Sequence, residues 1–499
     1  MSIMISKRIF WSLAAAALVA CGNDGTTDPQ SVPTLIEAFA GNGQVGIPGT
    51  QLAAPLTVEV TDQDGDPSRG VTVSWSVLTG GGNISPVTST TDAAGRAMAQ
   101  FTLGPGEGEQ QAQAVVTALT GSPVVFTAIA TLEPSQVVLS VASGGNNVPD
   151  RYSSDLWVYG NYAYTGTWGF REEPGDALNV WSLAANGAPA LAGTVLVPEI
   201  GTVSDVEVSD DGQVLVLSGE QGSAGGIFTY SLIDPAHPSF LGSASVGSRG
   251  VHTVTLSTIN GRHYAFAAMN PQYSGNETDD MPALMIYDIT DPTAPALVRR
   301  EPVQPHYGIH DTFVRDGLAF VFAWDEGVII YDVGNGMVGG SPAAPVEVSR
   351  LITAATGNNS PSVHNGWWFH NPVSGEKRYL FIGQEGFGTV GSASSGDIHV
   401  VDVSNIEHPV EVAIFHLDGA GVHNFWMDEA RQILYAAYYN AGVVALDVSG
   451  TLSGNLSGRL LSQVKPGGAN NTYTWGVQLA NGSLYAIDMI SGLWQLKTE

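Results

Sequence analysis

From residue 32 to about residue 133, apolar and polar side chains alternate in short runs. Leu56-Thr-Val-Glu-Val60, Val71-Thr-Val-Ser-Trp-Ser-Val77, Ala97-Met-Ala-Gln-Phe-Thr-Leu103 and Val124-Val-Phe-Thr-Ala-Ile-Ala130 each place every second residue on one face. That period predicts half-buried strands. Between the runs stand Asp62-Gln-Asp-Gly-Asp-Pro67 and Thr91-Asp-Ala-Ala-Gly95, where Gly and Asp tolerate the backbone angles of tight turns. Strands of this length with a turn roughly every ten residues predict an antiparallel β-sandwich over 32–133. Trp75 is expected in its core, without a binding role.

Residues 135–499 carry a different pattern, an internal repeat. Its clearest copy is Met285-Ile-Tyr-Asp-Ile-Thr-Asp-Pro-Thr-Ala-Pro, a strand ending in Asp and then a proline-rich corner. The pattern recurs at Val400-Val-Asp-Val-Ser-Asn and Phe228-Thr-Tyr-Ser-Leu-Ile-Asp-Pro, and more weakly at Leu178, Val328, Val443 and Leu493. Two further strand-like runs precede each copy and one follows it, so each unit has the four strands of a propeller blade. The last unit ends without its outer strand. Gln136-Val-Val-Leu-Ser-Val-Ala142 stands where every other unit places one, and is expected to pair near Trp494 and close the ring.

These motifs carry two resemblances. The series Pro55-Leu-Thr-Val-Glu-Val-Thr-Asp, Gly70-Val-Thr-Val-Ser-Trp and Thr91-Asp-Ala-Ala-Gly-Arg-Ala resembles bacterial Ig-like domains of the invasin and intimin type. That resemblance implies a spacer lifting another domain from a membrane. The second region resembles the LVIVD repeat of the β-propeller group, which implies a scaffold and no particular reaction. The expected fold class is therefore all-β: an Ig-like sandwich followed by a seven-bladed propeller closed by an N-terminal outer strand.

The N-terminus adds a destination. Lys7 and Arg8 precede an apolar stretch from Ile9 to Ala20, which reads as an export signal over 1–20, too short for a stable membrane span. It stops at Leu18-Val19-Ala20-Cys21, which resembles the lipobox of bacterial lipoproteins and implies diacylation of Cys21, the chain's one cysteine. Small polar residues over 21–31 fit a flexible tether. A cell-envelope lipoprotein is expected, held to a membrane by its N-terminal lipid. Gly22 follows the cysteine, in place of an Asp suggesting inner-membrane retention, which favours the outer membrane or cell surface.

Without the signal's two cations, the mature charge is 16 − 47 = −31, from 18 Lys+Arg and 47 Asp+Glu in the whole chain. Such a surface repels phosphate backbones and excludes nucleic acid as a partner.

Aligning the repeat units puts Asp155, Asp205, His252, His310, His364, His423 and Trp475 at the start of the innermost strands, as a ring around the central channel. Gly-Val-His252, Gly-Ile-His310, Ser-Val-His364 and Gly-Val-His423 share a local context. Four imidazoles converging on one opening suit zinc, copper or iron. Equally, each could bond a neighbouring blade's backbone. Asp155 and Asp205 are expected to complete the circle, and His306 and His370 to stand near it. His237, His263, His399, His408 and His416 receive no role. Trp367, Trp368, Trp426 and Tyr473 follow ring positions and could line a sugar- or peptide-binding mouth or pack between blades. Gly383-Gln-Glu-Gly-Phe-Gly388 lacks the strand-to-helix setting of a dinucleotide loop. Asp288, Asp332, Asp402 and Asp447 are expected to bond the backbone at the repeat corner. The leading functional expectation is a non-catalytic module presenting its propeller to a protein or glycan ligand. The alternative is a metal-dependent enzyme with a histidine-ringed site at the channel mouth.

Overall fold

The computed structural model describes residues 32–499 apart from 47, 107, 132–136, 184–187, 271–280, 304–307, 355–360, 373–374 and 387. The export signal, Cys21, the tether over 21–31 and His306 lie outside the described residues. Among those described, the chain forms strands and two short 3-10 turns, and no helix is long and apolar enough to cross a membrane.

Nine strands make two sheets at the N-terminal end. One runs Pro33–Ala40, Leu56–Asp62, Arg96–Thr102, Asn83–Ser85; the other Gln44–Gly46, Val124–Ala130, Gly108–Val115, Thr72–Val77, Thr88–Thr90. Alternation does the work here, since Val73 and Trp75 are buried while Thr72, Ser74 and Ser76 are exposed. Ile36, Val58, Val60, Phe101 and Phe126 enclose Trp75, whose indole N–H donates to Ser89 Oγ at 2.9 Å. Burying such apolar faces contributes roughly 25 cal/mol per Å², the main stabilising term in a chain without a disulfide. The Thr91–Gly95 turn is held by Asp92 Oδ1, which accepts the N–H groups of Ala94 and Arg96 at 2.8 and 3.0 Å. Gly95 has φ +74°, and a Cβ there would stand 2.6 Å from Val60 O, so only glycine fits.

Among the described residues seven sheets follow, antiparallel except where Gly454–Asn455 adds in parallel to Val410–Phe415. Their innermost strands are Tyr152–Tyr159, Thr202–Val208, Val251–Ile259, Asp311–Arg315, Val363–Phe369, Phe425–Asp428 and Thr474–Ala480. Each adjoins the next, and the last adjoins the first. The closed ring is a β-propeller. Leu139–Gly144 is the outer strand of the seventh sheet, with Val141 opposite Leu496 and Gly144 opposite Trp494. The first and last strands of this region thereby share one sheet, which closes the ring. Packing between sheets is apolar and dry, as with Phe266, Leu284, Ile286, Ala319, Val321 and Ile329 between the third and fourth.

The two regions touch at the sixth sheet. Arg459 donates to Gly43 O and, at 3.1 Å, to Asp447 Oδ2, while the Thr127 and Thr451 hydroxyls meet at 2.6 Å.

Candidate functional site

The innermost strands do not start as regular strands. Pairing with the second strand slips between Ser153 and Leu156, Val203 and Val206, Val251 and Val254, Val363 and Asn365, and Thr474 and Gly476. A bulge of this kind re-aims side chains, so two consecutive residues can face the channel at different levels. Two layers result, one residue apart.

The first layer is aromatic. His252 and His310 rings stand 4.2 Å apart, His310 and His364 3.6 Å, His364 and His423 4.2 Å, and His423 and Trp475 4.0 Å. Trp168 closes the circle, 5.1 Å from Trp475 and 5.8 Å from His252. The four expected histidines are therefore brought together, with Trp475 beside them. Asp155 and Asp205 are not in this layer. Ser154 and Ser204 hold the equivalent positions, their hydroxyls donating to Val203 O and Val251 O of the next sheet. The correction has a physical cause: a bulge adds a residue at this point of the strand, and an alignment of the repeat units by their strand starts slips by one there.

A second shell comes from the ends of the second strands. Glu220 ends Val214–Glu220, Trp168 ends Tyr162–Trp168, and Glu385, Tyr439 and Asn270 each follow directly on a second strand. His252 Nδ1 is 3.0 Å from Glu220 Oε1, whose other oxygen accepts Asn270 Nδ2 at 2.5 Å. Tyr439 OH donates to Glu385 Oε1, leaving Oε2 turned towards His364 Nε2 at 3.6 Å and His310 Nε2 at 3.8 Å. His252 Nε2 lies 2.7 Å from His310 Nε2. His423 Nδ1 bonds Trp475 O at 2.7 Å, the neighbouring-backbone arrangement, and His364 faces the His423 backbone in the same way without reaching that geometry. His310 Nδ1, His423 Nε2 and both nitrogens of His364 are buried without a hydrogen-bond partner.

Burial sets the charges. It drives His310 and His364 well below the usual imidazole range and His423 down to about 3, so these three are neutral, and His310 Nε2 accepts from His252. Burial likewise raises Glu385 to about 7. His252 goes the other way: burial opposes its charge, but Glu220 beside it outweighs that and raises it. Burial also disfavours Glu220 as an anion, yet His252 and the bonds from His252 and Asn270 keep it ionised.

The second layer is polar: Asp155, Asp205, Thr253, Asp311, Asn365 and Asn424, with Gly476 in the seventh sheet. Asn424 Nδ2 reaches Asp155 Oδ1 at 2.9 Å across that glycine, whose Cβ would stand 2.8 Å from the same oxygen. Asp205 accepts Val206 N and Val254 N at 2.8 and 2.7 Å. This layer floors a cavity of about 410 Å³ whose wall includes Trp157, Trp367, Trp426, Phe313 and Glu207. Asp155 and Glu207 are partly exposed, yet the surrounding protein makes their ionisation costly, and burial raises both well above the usual range.

A model of the LVIVD repeat matches residues 150–170 and 393–416. LVIVD repeats are present. The second match covers the corner where Asp402 Oδ1 accepts Ser404 N at 2.9 Å; the first lies on two strands ahead of the weaker copy at Leu178. Asp288, Asp332 and Asp447 make the same corner bond, to Thr290, Gly334 and Ser449 N at 3.0, 2.9 and 2.9 Å. Among solved structures, the β-propeller domain of Myceliophteria thermophila Cps50 (Swd1) is 12% identical, with a TM-score of 0.48 over 70% of this chain and 98% of that one. The C-terminal WD40 domain of Sif2 is also 12% identical, with a TM-score of 0.42 over 78% and 90%. No curated protein sequence matches the chain.

The remaining candidates fall elsewhere. His370 packs on Trp368 at 4.4 Å, outside the circle. Trp368 is buried and bonds Lys377 O at 3.0 Å, and Tyr473 stacks on Tyr439 at 4.5 Å, so neither lines the mouth. Glu385 stands inside Gly383-Gln-Glu-Gly-Phe-Gly388, the segment set aside as a dinucleotide loop.

Proposed function

We propose that the protein is a cell-envelope lipoprotein in which an Ig-like sandwich presents a seven-bladed propeller, and that the cavity at the carboxyl side of the channel binds a neutral glycan. The observation that carries this reading is the wall of that cavity. Trp157, Trp367 and Trp426 are each partly exposed along it, and the floor is made of carboxyl and amide groups. Indoles offer flat apolar faces to the C–H side of a sugar ring, while Asp, Asn and Gln take its hydroxyls. A mature charge of −31, that is 16 − 47, disfavours an anionic glycan. The Leu18-Val19-Ala20-Cys21 motif supports the lipid anchor.

Titrating the protein with neutral oligosaccharides while following tryptophan fluorescence tests the reading. Trp367→Ala and Trp426→Ala should each weaken binding at least about tenfold, the ordinary loss for a central aromatic contact. Unchanged affinity in both, or no neutral glycan bound on an array, would sink it. A second reading, a metal-dependent enzyme, is favoured by the unpartnered imidazole nitrogens of the other layer.

A further inference from the structure

The imidazole layer has a property that packing alone does not supply. Buried polar atoms in folded proteins nearly always find a partner, and each exception calls for a cause. Here His364 is 1% exposed and neither of its nitrogens is bonded, and His310 Nδ1 and His423 Nε2 are in the same condition. One ligand atom each from His310, His364 and Glu385 lies within 4.8 Å of the other two.

We propose that His310, His364 and Glu385 bind one divalent first-row transition ion in the propeller channel, through the two Nε2 atoms and Glu385 Oε2, with His252 beside His310 turning its Nε2 into the fourth position. The distances suit this. Four ligands about 2.0–2.2 Å from a tetrahedral ion stand roughly 3.3–3.5 Å apart. The separations of 3.6 Å for His364–Glu385 and 3.8 Å for His310–Glu385 are within a few tenths of an ångström of that spacing, and His252–His310, a hydrogen bond at 2.7 Å, opens by about 0.6 Å when both rings ligate. Imidazole and carboxylate donors without sulfur suit zinc, and equally iron or copper.

The outer shell is that of a ligand set. Metal-bound histidines usually give their second nitrogen to a carboxylate or carbonyl, and bound carboxylates are themselves hydrogen-bonded. His252 gives Nδ1 to Glu220, and Glu385 takes the Tyr439 hydroxyl on the oxygen turned away from the histidines. His423 stacks behind His364 and is tied to Trp475 O, which places it as a support. An ion could enter beside His252, whose side chain is 12% exposed between the half-buried Trp168 and Trp324. This site is independent of glycan binding, since none of its ligands lines the cavity on the other side.

The test uses the whole folded protein, stripped with a chelator and titrated with Zn(II), then with Co(II), whose visible bands report four-coordination. One equivalent of Zn(II) should bind, competing with the chelator, and Co(II) should give the bands of a four-coordinate site. Glu385→Gln and His364→Ala should abolish stoichiometric binding. Glu220→Gln, which touches only the outer shell, should weaken it by about 10–100-fold. Asp155→Asn and Trp367→Ala, in the other layer, should leave it unchanged. Failure of the parent protein to take up one equivalent would overturn the proposal. So would equal uptake by Glu385→Gln and His364→Ala. Should His364→Ala fail to fold, the near-isosteric Glu385→Gln decides alone, with its circular dichroism matched to the parent.

Discussion

The two layers of the channel are built from neighbouring residues of the same strands and treat their polar atoms in opposite ways. In the carboxyl layer, Asp205 takes two backbone N–H groups, Asp311 takes Thr312 N at 2.7 Å, and Glu207 takes Leu256 N at 2.9 Å. An innermost strand has no sheet neighbour on its channel side, and the acids satisfy N–H groups left on that edge. In the imidazole layer, neither nitrogen of His364 is in hydrogen-bond geometry with a described residue, although the Asn365 side chain and the His423 backbone stand beside it. One layer closes the fold's own accounts. The other carries a cost in the empty protein, the mark of a place shaped for a ligand.

The largest effect should come from crossing that line by mutation. Asp205→Ala orphans the N–H groups of Val206 and Val254, both buried, and should cost about 2–4 kcal/mol. Asp205→Asn, which keeps an acceptor, should recover most of that. His364→Leu in the metal-free protein should fall within about 1 kcal/mol of the parent, since it removes unsatisfied nitrogens and keeps an apolar body of similar size. Urea midpoints of the three variants measure the contrast. A His364→Leu loss equal to that of Asp205→Ala would erase it.

A smaller effect separates the layers by pH. Burial raises Glu207 well above its ordinary value of 4.5, so the folded chain holds a proton that the unfolded chain has released. Stability from this group is therefore complete below about pH 4.5 and is lost as pH rises towards the raised folded value. Glu207→Gln is neutral throughout. It should melt close to the parent at acid pH and above it at alkaline pH, a divergence readable from melting temperatures across the range. Parallel curves would mean that channel water screens Glu207 fully.

How far the sequence revealed these layers follows from their construction. The strands of the two N-terminal sheets were legible because one such as Thr72–Val77 alternates buried and exposed residues. The imidazole circle was legible because Gly-Val-His and Gly-Ile-His repeat in phase with the sheets. Asp155 and Asp205 were read one position out, since a bulge adds a residue that an alignment by strand starts cannot register. A corrective signal was present: Asp311, Asn365 and Asn424 each follow a ring histidine, and they are the residue class to which Asp155 and Asp205 belong. Glu220, Glu385, Tyr439 and Trp168 were missed because equivalent positions after the second strands carry different residue types. Only Gly219-Glu220 and Gln384-Glu385, a glutamate at the same place in two sheets, hinted at a shared role.

The smallest expected effect tests whether the layers are independent. Thr253 is the member of the polar layer that is neither acid nor amide, and its hydroxyl donates to His310 O at 2.6 Å. It thus ties the third sheet's polar position to the backbone of a proposed metal ligand. Thr253→Val keeps the shape and removes the donor, at a cost of about 0.5–1.5 kcal/mol, softened because channel water can reach the carbonyl. If the bond only holds two sheets together, stability should fall by that amount while Zn(II) affinity stays within about threefold, a difference under 1 kcal/mol. If it also sets the pitch of the His310 ring, affinity should fall with stability. Measuring both in one variant decides the matter, and separate behaviour is the expected outcome, because His310 Nε2 is fixed from its far side by His252, which Glu220 holds in turn.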